Sequence, residues 1–243
     1  MTKIVPSPAA ADLQTSGVAK VVRMEMGRDS DKARADLVFV IDTTGSMNDK
    51  IDGLIESCES FVDRLATRRI DWAAAVVGFG DLTIEGDRIV ATPFSSSADR
   101  VKALLRGIPR NSGGDNEGES SLEALQAALR QPGYRAGAMK ILVLITDEPA
   151  LQRQLRPSTI TGKLREAGAI AFVLSPNIKY FRSMATDTGG HWWKVESGGD
   201  FSKILAIFDK IATQVASTVA TVQKLTGGDV KEYLSLPPSR REG

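Results

Sequence analysis

Apolar residues along the chain fall into two alternating kinds of pattern. The first is the short, continuous, β-branched run: LVFVI at 37–41, AAAVVGF at 73–79, KILVLIT at 140–146 and AIAFVL at 169–174. Runs of this kind predict strands buried on both faces, since a strand with one wet face alternates apolar and polar residues. The second is the helical stripe. Ile51, Leu54, Ile55, Cys58, Phe61, Val62 and Leu65 recur at three- and four-residue steps, and shorter stripes follow at Val101, Leu104 and Leu105, at Leu122, Leu125, Ala128 and Leu129, and at Ile160, Leu164 and Ala167. Ser158 is read as the N-cap of the last of these. A short helix over 178–186 leads to HWWKV at 191–195, the last strand, and Phe201, Ile204, Leu205, Phe208, Ile211 and Val215 mark a final helix. A further short strand, RIVAT at 88–92, is separated from 73–79 by GDLTIEGD, a length that allows a hairpin and hence one antiparallel edge strand.

Strands alternating with amphipathic helices predict an α/β fold: a doubly wound, mostly parallel sheet with one antiparallel edge strand and helices on both faces. This domain is expected over 35–225. Residues 1–34 read as an N-terminal arm, in which VVRMEM at 21–26 alternates like a short strand, and 226–243 as a flexible tail.

Composition narrows the function. Among 243 residues, 31 Lys and Arg face 30 Asp and Glu, a net charge of +1, which excludes a broad electrostatic grip on nucleic acid or anionic lipid. One Cys and one His exclude a disulfide framework and most thiolate or imidazole metal sites, so any metal must be held by oxygen. No run reaches the roughly 18 to 20 apolar residues of a membrane span. The first residues have no apolar core of a secretory signal, so the expected compartment is the cytoplasm.

Three loops that follow buried strands or precede helices carry the candidate chemistry. In Asp42-Thr43-Thr44-Gly45-Ser46, the alternate residues Asp42, Thr44 and Ser46 can converge from a tight turn as a half-shell of hard oxygens suited to Mg²⁺, Mn²⁺ or Ca²⁺. The second loop is Gly113-Gly114-Asp115-Asn116-Glu117-Gly118-Glu119, and the third Thr146-Asp147-Glu148-Pro149. In a doubly wound sheet, strand C-termini share one edge and form a crevice where the strand order reverses. Taken singly, Asp115 also suits a helix cap, Glu117 and Glu119 suit the positive end of the helix that follows, and Asp81 suits a turn. Cys58 reads as core, and His191 with Trp192 and Trp193 as an edge-strand surface packed on a helix.

The order Asp42-x-Thr44-x-Ser46, a Gly-Gly-Asp loop, then Ile145-Thr146-Asp147 resembles the von Willebrand factor type A domain and its metal-ion-dependent adhesion site, with ADLVFVIDTTGSM the most specific segment. The resemblance covers about 36–215. It implies Mg²⁺ (or Mn²⁺ or Ca²⁺) held by the hydroxyls of Thr44 and Ser46, with Asp42 and Asp147 bound directly or through water. Asp115 stands where the family often has Thr, adding a carboxylate near the ion. The implied function is a non-catalytic adaptor or scaffold that engages another protein through an Asp or Glu of that partner. The alternative is a Mg²⁺-dependent aspartyl-phosphate phosphohydrolase with Asp42 as nucleophile. That pattern calls for an acid two residues later, where Thr44 stands, and for a late paired-acid motif missing after Asp147.

Overall fold

The computed structural model describes residues 33–66, 70–114, 118–195 and 202–241; within these, the side chains of residues 49, 50, 54, 65, 66, 202–209 and 238 fall outside the description. Residues 1–32 of the arm expected over 1–34, with its VVRMEM segment, therefore lie outside the described residues, as do Asp115 and Glu117 and the side chains of Leu54, Leu65, Phe201, Ile204, Leu205 and Phe208.

Six strands form one sheet: β1 (Ala33–Asp42), β2 (Ile70–Phe79), β3 (Val90–Ala91), β4 (Met139–Ile145), β5 (Ala169–Ser175) and β6 (Trp192–Lys194). Their order is β3-β2-β1-β4-β5-β6, every neighbouring pair being parallel except β2 with β3. The expected mixed sheet with one antiparallel edge is thus the observed one. The chain builds outward from β1 to β3, then crosses back to place β4 on the other side of β1. The order reverses between β1 and β4, whose last paired residues are Ile41 and Ile145.

The helices are α1 (Asn48–Ala66), α2 (Ala98–Arg106), α3 (Ser121–Arg130), α4 (Pro157–Glu166), α5 (Lys179–Asp187), α6 (Ser202–Thr226), α7 (Val230–Ser235) and α8 (Pro238–Arg241). Strand alternation divides the core into two layers. Leu37, Phe39 and Ile41 of β1 pack with Ile51, Cys58 and Phe61 of α1, Val101 and Leu105 of α2, and Ile211, Val215 and Val219 of α6. Val38 and Val40 face the other way, onto Leu122 and Leu125 of α3, Ile160 and Leu164 of α4, and Phe181 and Met184 of α5.

Four expectations change. β1 and β2 begin four and three residues before their apolar runs, because buried Asp36 and partly buried Asp71, the latter also paired with Arg34, share the charge of one side chain, Arg135. Its Nε donates to Asp36 Oδ1 at 2.7 Å and its guanidinium to Asp71 Oδ1 at 2.6 Å. α4 starts at Pro157, with Arg156 rather than Ser158 in the cap position; proline's fixed φ suits a first helical residue. β3 keeps only two of the five residues expected of it. The tail expected to be loose from 226 carries α7 and α8, and Val230 and Tyr233 of α7 are buried in the core. Asp229 caps α7, its side chain accepting from Lys231 and Glu232 backbone N–H. Among the described residues no helix is long and apolar enough to cross a membrane.

Candidate metal centre

Asp42 is the last residue of β1 and is fully buried. Its Oδ1 accepts from the Thr44 N–H at 3.1 Å and from Thr44 Oγ1 at 2.7 Å, folding the chain back on itself directly after the strand. Its Oδ2 accepts from Thr146 Oγ1 at 2.8 Å, tying the end of β1 to the end of β4. Thr44 Oγ1 lies 3.2 Å from Ser46 Oγ, and Ser46 Oγ donates to Asp147 Oδ1 at 3.0 Å. Asp42, Thr44, Ser46 and Asp147 therefore form one continuous string of oxygens across the point where the strand order reverses. Ser46 is its exposed member; Thr44 and Asp147 are buried. Thr43 points away, its hydroxyl donating to Phe79 O and accepting from Asn111 Nδ2, which explains why only alternate positions of this loop converge.

The neighbouring loop closes over this turn. Gly45 N–H donates to Ser112 O at 3.0 Å, and a Cβ on Gly45 would stand 2.9 Å from that oxygen. Gly113 adopts φ +72°, and a Cβ there would stand 2.9 Å from Thr44 Cβ. Both glycines are thus dictated by close approach, the second also by backbone conformation. Asp115 lies just beyond, outside the described residues, so its place relative to the string of oxygens is not part of this geometry.

Burial pushes the Asp42 carboxyl up to about 6, against the pull of the Thr44 and Thr146 hydrogen bonds, with the nearby Asp147 charge adding to the rise. Glu119, expected at the positive end of the helix that follows, directly precedes the α3 cap Ser120 and is buried between loops. Its N–H donates to Pro149 O at 2.9 Å and its carbonyl accepts from Leu151 N–H at 2.8 Å, a single parallel bridge joining the second and third loops. Its side chain turns under Gly113, and its buried Oε2 has no hydrogen-bond partner among the described residues. Burial first, then the charges of Asp42, Asp81, Asp87 and Glu148, raise this carboxyl to about 8. Only its position two residues after Glu117 in a Gly-rich loop marks Glu119 in sequence, and that reads equally as a surface acid.

Asp81 is a turn residue as expected, accepting from Thr83 N–H and Oγ1 at 2.8 Å each. Asp87, which no sequence pattern singles out, is the staple between hairpin and glycine loop: its carboxylate accepts from Ser112 N–H at 2.7 Å and Gly113 N–H at 2.9 Å. Cys58 sits in the core, and burial pushes its thiol up. His191 precedes β6 with its ring 4.5 Å from that of Trp193, at the strand N-terminal edge and so away from these loops.

Among the described residues, no group of three or more His, Cys, Asp or Glu is arranged to hold a metal. The donors brought together are instead two carboxylates and two hydroxyls. Their successive O···O separations of 2.7, 3.2 and 3.0 Å bracket the edge of about 3 Å that an octahedron with metal–oxygen bonds of about 2.1 Å requires. The donor set fits a small hard cation.

Comparison with known proteins agrees with the fold. Proximal thread matrix protein 1 from the mussel byssus, in a structure with a zinc occupied MIDAS motif, superposes with a TM-score of 0.61 at 18% identity, over 76% of this chain and 46% of that one. Two further structures of the same mussel protein give TM-scores of 0.58 and 0.59, also at 18% identity. The match thus spans about half the length of the mussel protein. No curated protein matches the chain by sequence. The sequence model of the von Willebrand factor type A domain matches residues 36–206, from the middle of β1 into α6. The chain belongs to the von Willebrand factor type A domain family.

Proposed function

We propose that this domain is a divalent-cation-dependent protein-binding module whose adhesion site is built from Asp42, Thr44, Ser46 and Asp147, with Asp115 beside them. The observation that carries this reading is the string of oxygens from Asp42 to Asp147, opening to solvent at Ser46. Membership of a family whose members are commonly protein-interaction modules supports it, as does the zinc-occupied MIDAS motif of the mussel protein that shares the fold.

Hard oxygen donors favour Mg²⁺ or Mn²⁺ over softer ions. When bound, such a cation supplies a positive charge with an open coordination position that a partner's Asp or Glu carboxylate completes. Asp42 and Thr44 fix the inner wall and Ser46 presents its hydroxyl at the mouth. Thr146 holds Asp42 in place, and Gly45 and Gly113 let the two loops close.

The geometry disfavours Asp42 as the nucleophile of a phosphohydrolase. Both of its oxygens accept hydrogen bonds and the residue is fully buried, so neither oxygen faces an incoming phosphate. The lone His stands at the far edge of the sheet and cannot serve as a base for this loop.

The deciding experiment is titration calorimetry with Mg²⁺, Mn²⁺ and Zn²⁺ on the wild type and on Asp147→Ala. Saturable binding of Mg²⁺ or Mn²⁺ by the wild type and its loss in the variant, with cooperative unfolding retained, is the expected result. Undiminished affinity in Asp147→Ala overturns the assignment.

A further inference from the structure

A second concavity lies on the opposite edge of the sheet. The turn from α5 to β6 (Gly189, Gly190, His191), one face of α6, and Tyr233 and Arg241 of α7 and α8 enclose a cleft of about 420 Å³. The α6 wall is a helical stripe, Gln214, Ser217, Thr218 and Thr221, set at steps of three, one and three residues and turned away from the apolar stripe of Ile211, Val215, Val219 and Val222 that enters the core. Most of this cleft is built by residues beyond the 36–206 segment that matches the family.

The chemistry of the walls is one-sided. Among the described residues that line it there is a guanidinium, an imidazole, a carboxamide and several hydroxyls, but no Asp or Glu. The Arg241 side chain lies against the Tyr233 ring, its guanidinium carbon 5.9 Å from the ring centre, and among the described residues its buried Nε has no hydrogen-bond acceptor. A buried donor on a charged group without an acceptor is costly, more so than the same group left in water. A planar guanidinium is also the group best matched to carboxylate and phosphate oxygens.

We infer that this cleft is a binding site for a small oxyanion-bearing molecule, a carboxylate or phosphate, which the Arg241 guanidinium engages and the hydroxyl and amide stripe of α6 orients. Size agrees with a small molecule: the volume falls within the range of about 300 to 1,000 Å³ typical of ligand pockets. The site is independent of the adhesion site, and its function does not require a cation.

The chain's single histidine provides the reporter, since His191 lines the cleft and its imidazole Cε1–H gives one resonance. Inorganic phosphate and succinate are titrated separately at pH 8 against sodium chloride at matched ionic strength. The expected result is a saturable shift of the His191 resonance with at least one probe, absent with chloride. In Arg241→Gln that affinity should fall about ten-fold, the loss of one charge-assisted hydrogen bond. The arm that saturates tells phosphate from carboxylate. A non-saturating response to both probes overturns the proposal, and so does unchanged affinity in Arg241→Gln. Arg241 lies in a four-residue surface helix, so an unaltered thermal midpoint should accompany the substitution.

Discussion

Ser46 Oγ donates to Asp147 Oδ1 across 3.0 Å although 101 residues separate them in the chain. The contact joins the turn after β1 to the turn after β4, where the strand order reverses, and Ser46 is the exposed member of the pair. An exposed hydroxyl contributes little to folding, whereas a cation that uses it loses a ligand outright. Ser46→Ala should therefore weaken Mg²⁺ binding at least about ten-fold while changing stability in EDTA by no more than about 0.5 kcal/mol. Calorimetry and urea unfolding on the same preparation check both halves.

The pH dependence of the cation-free protein follows from the two raised carboxyls, Asp42 at about 6 and Glu119 at about 8, each displaced chiefly by burial. The folded chain holds these protons more tightly than the unfolded chain, where the groups titrate near 3.8 and 4.5. Their contribution is thus fully present below the unfolded values and is lost as pH rises, through about 6 for Asp42 and about 8 for Glu119. Urea midpoints in EDTA should fall between pH 5.5 and pH 8.5. Glu119→Gln, which keeps the shape and cannot ionise, should flatten the decline in its upper half. A slope unchanged by that substitution would remove Glu119 from the explanation.

Arg135 offers a control at the other end of the strands. It is the charge partner of buried Asp36 and also bridges Asp71, so its truncation leaves a carboxylate stranded inside the sheet. Arg135→Ala should cost about 3 kcal/mol of stability and leave Mg²⁺ affinity unchanged once the protein is folded. Loss of cation binding in the folded variant would mean that the two edges of the sheet are coupled.

In the proposed adhesion site Asp115 would be a third carboxylate. With Asp42, Asp115 and Asp147 beside one divalent ion the formal sum is −1, which opposes an incoming carboxylate. Asp115→Thr should retain Mg²⁺ and bind a Glu-bearing peptide more tightly, by on the order of 1 kcal/mol for a partly solvated charge. Fluorescence polarisation with such a peptide at saturating Mg²⁺ checks this. Loss of the ion makes Asp115 an indispensable ligand, and weaker peptide binding makes it a peptide contact.

What the sequence displays and what it hides divide along physical lines. Continuous apolar runs announce the centres of β1, β2, β4 and β5, because strands covered on both faces admit little else. The beginnings of β1 and β2 are hidden, because Asp36 and Asp71 look like loop residues until Arg135, some 99 and 64 positions away, is seen to pair with both. The loop of Asp42, Thr44 and Ser46 is legible since its alternation is local. Glu119 and Asp87 are not, since their roles arise only when the hairpin, the glycine loop and the β4 loop meet. The C-terminal segment misleads for a related reason: α7 is too short to show a periodic stripe, and its two buried residues, Val230 and Tyr233, have meaning only against the end of the sheet on which they rest.

The parallel strands also decide how the domain can be tethered. β1 begins at Ala33 on the edge of the sheet that holds the strand N-termini, and α7 folds back to that same edge, Val230 and Lys231 lying against Gly168 just before β5. The Gly189–His191 turn that faces Arg241 marks it too. Both terminal attachments therefore leave from the edge opposite Ser46 and Asp147. The chain thus enters the domain at Ala33 from the side opposite the proposed adhesion site, and α7 and α8 bring it back to that same side.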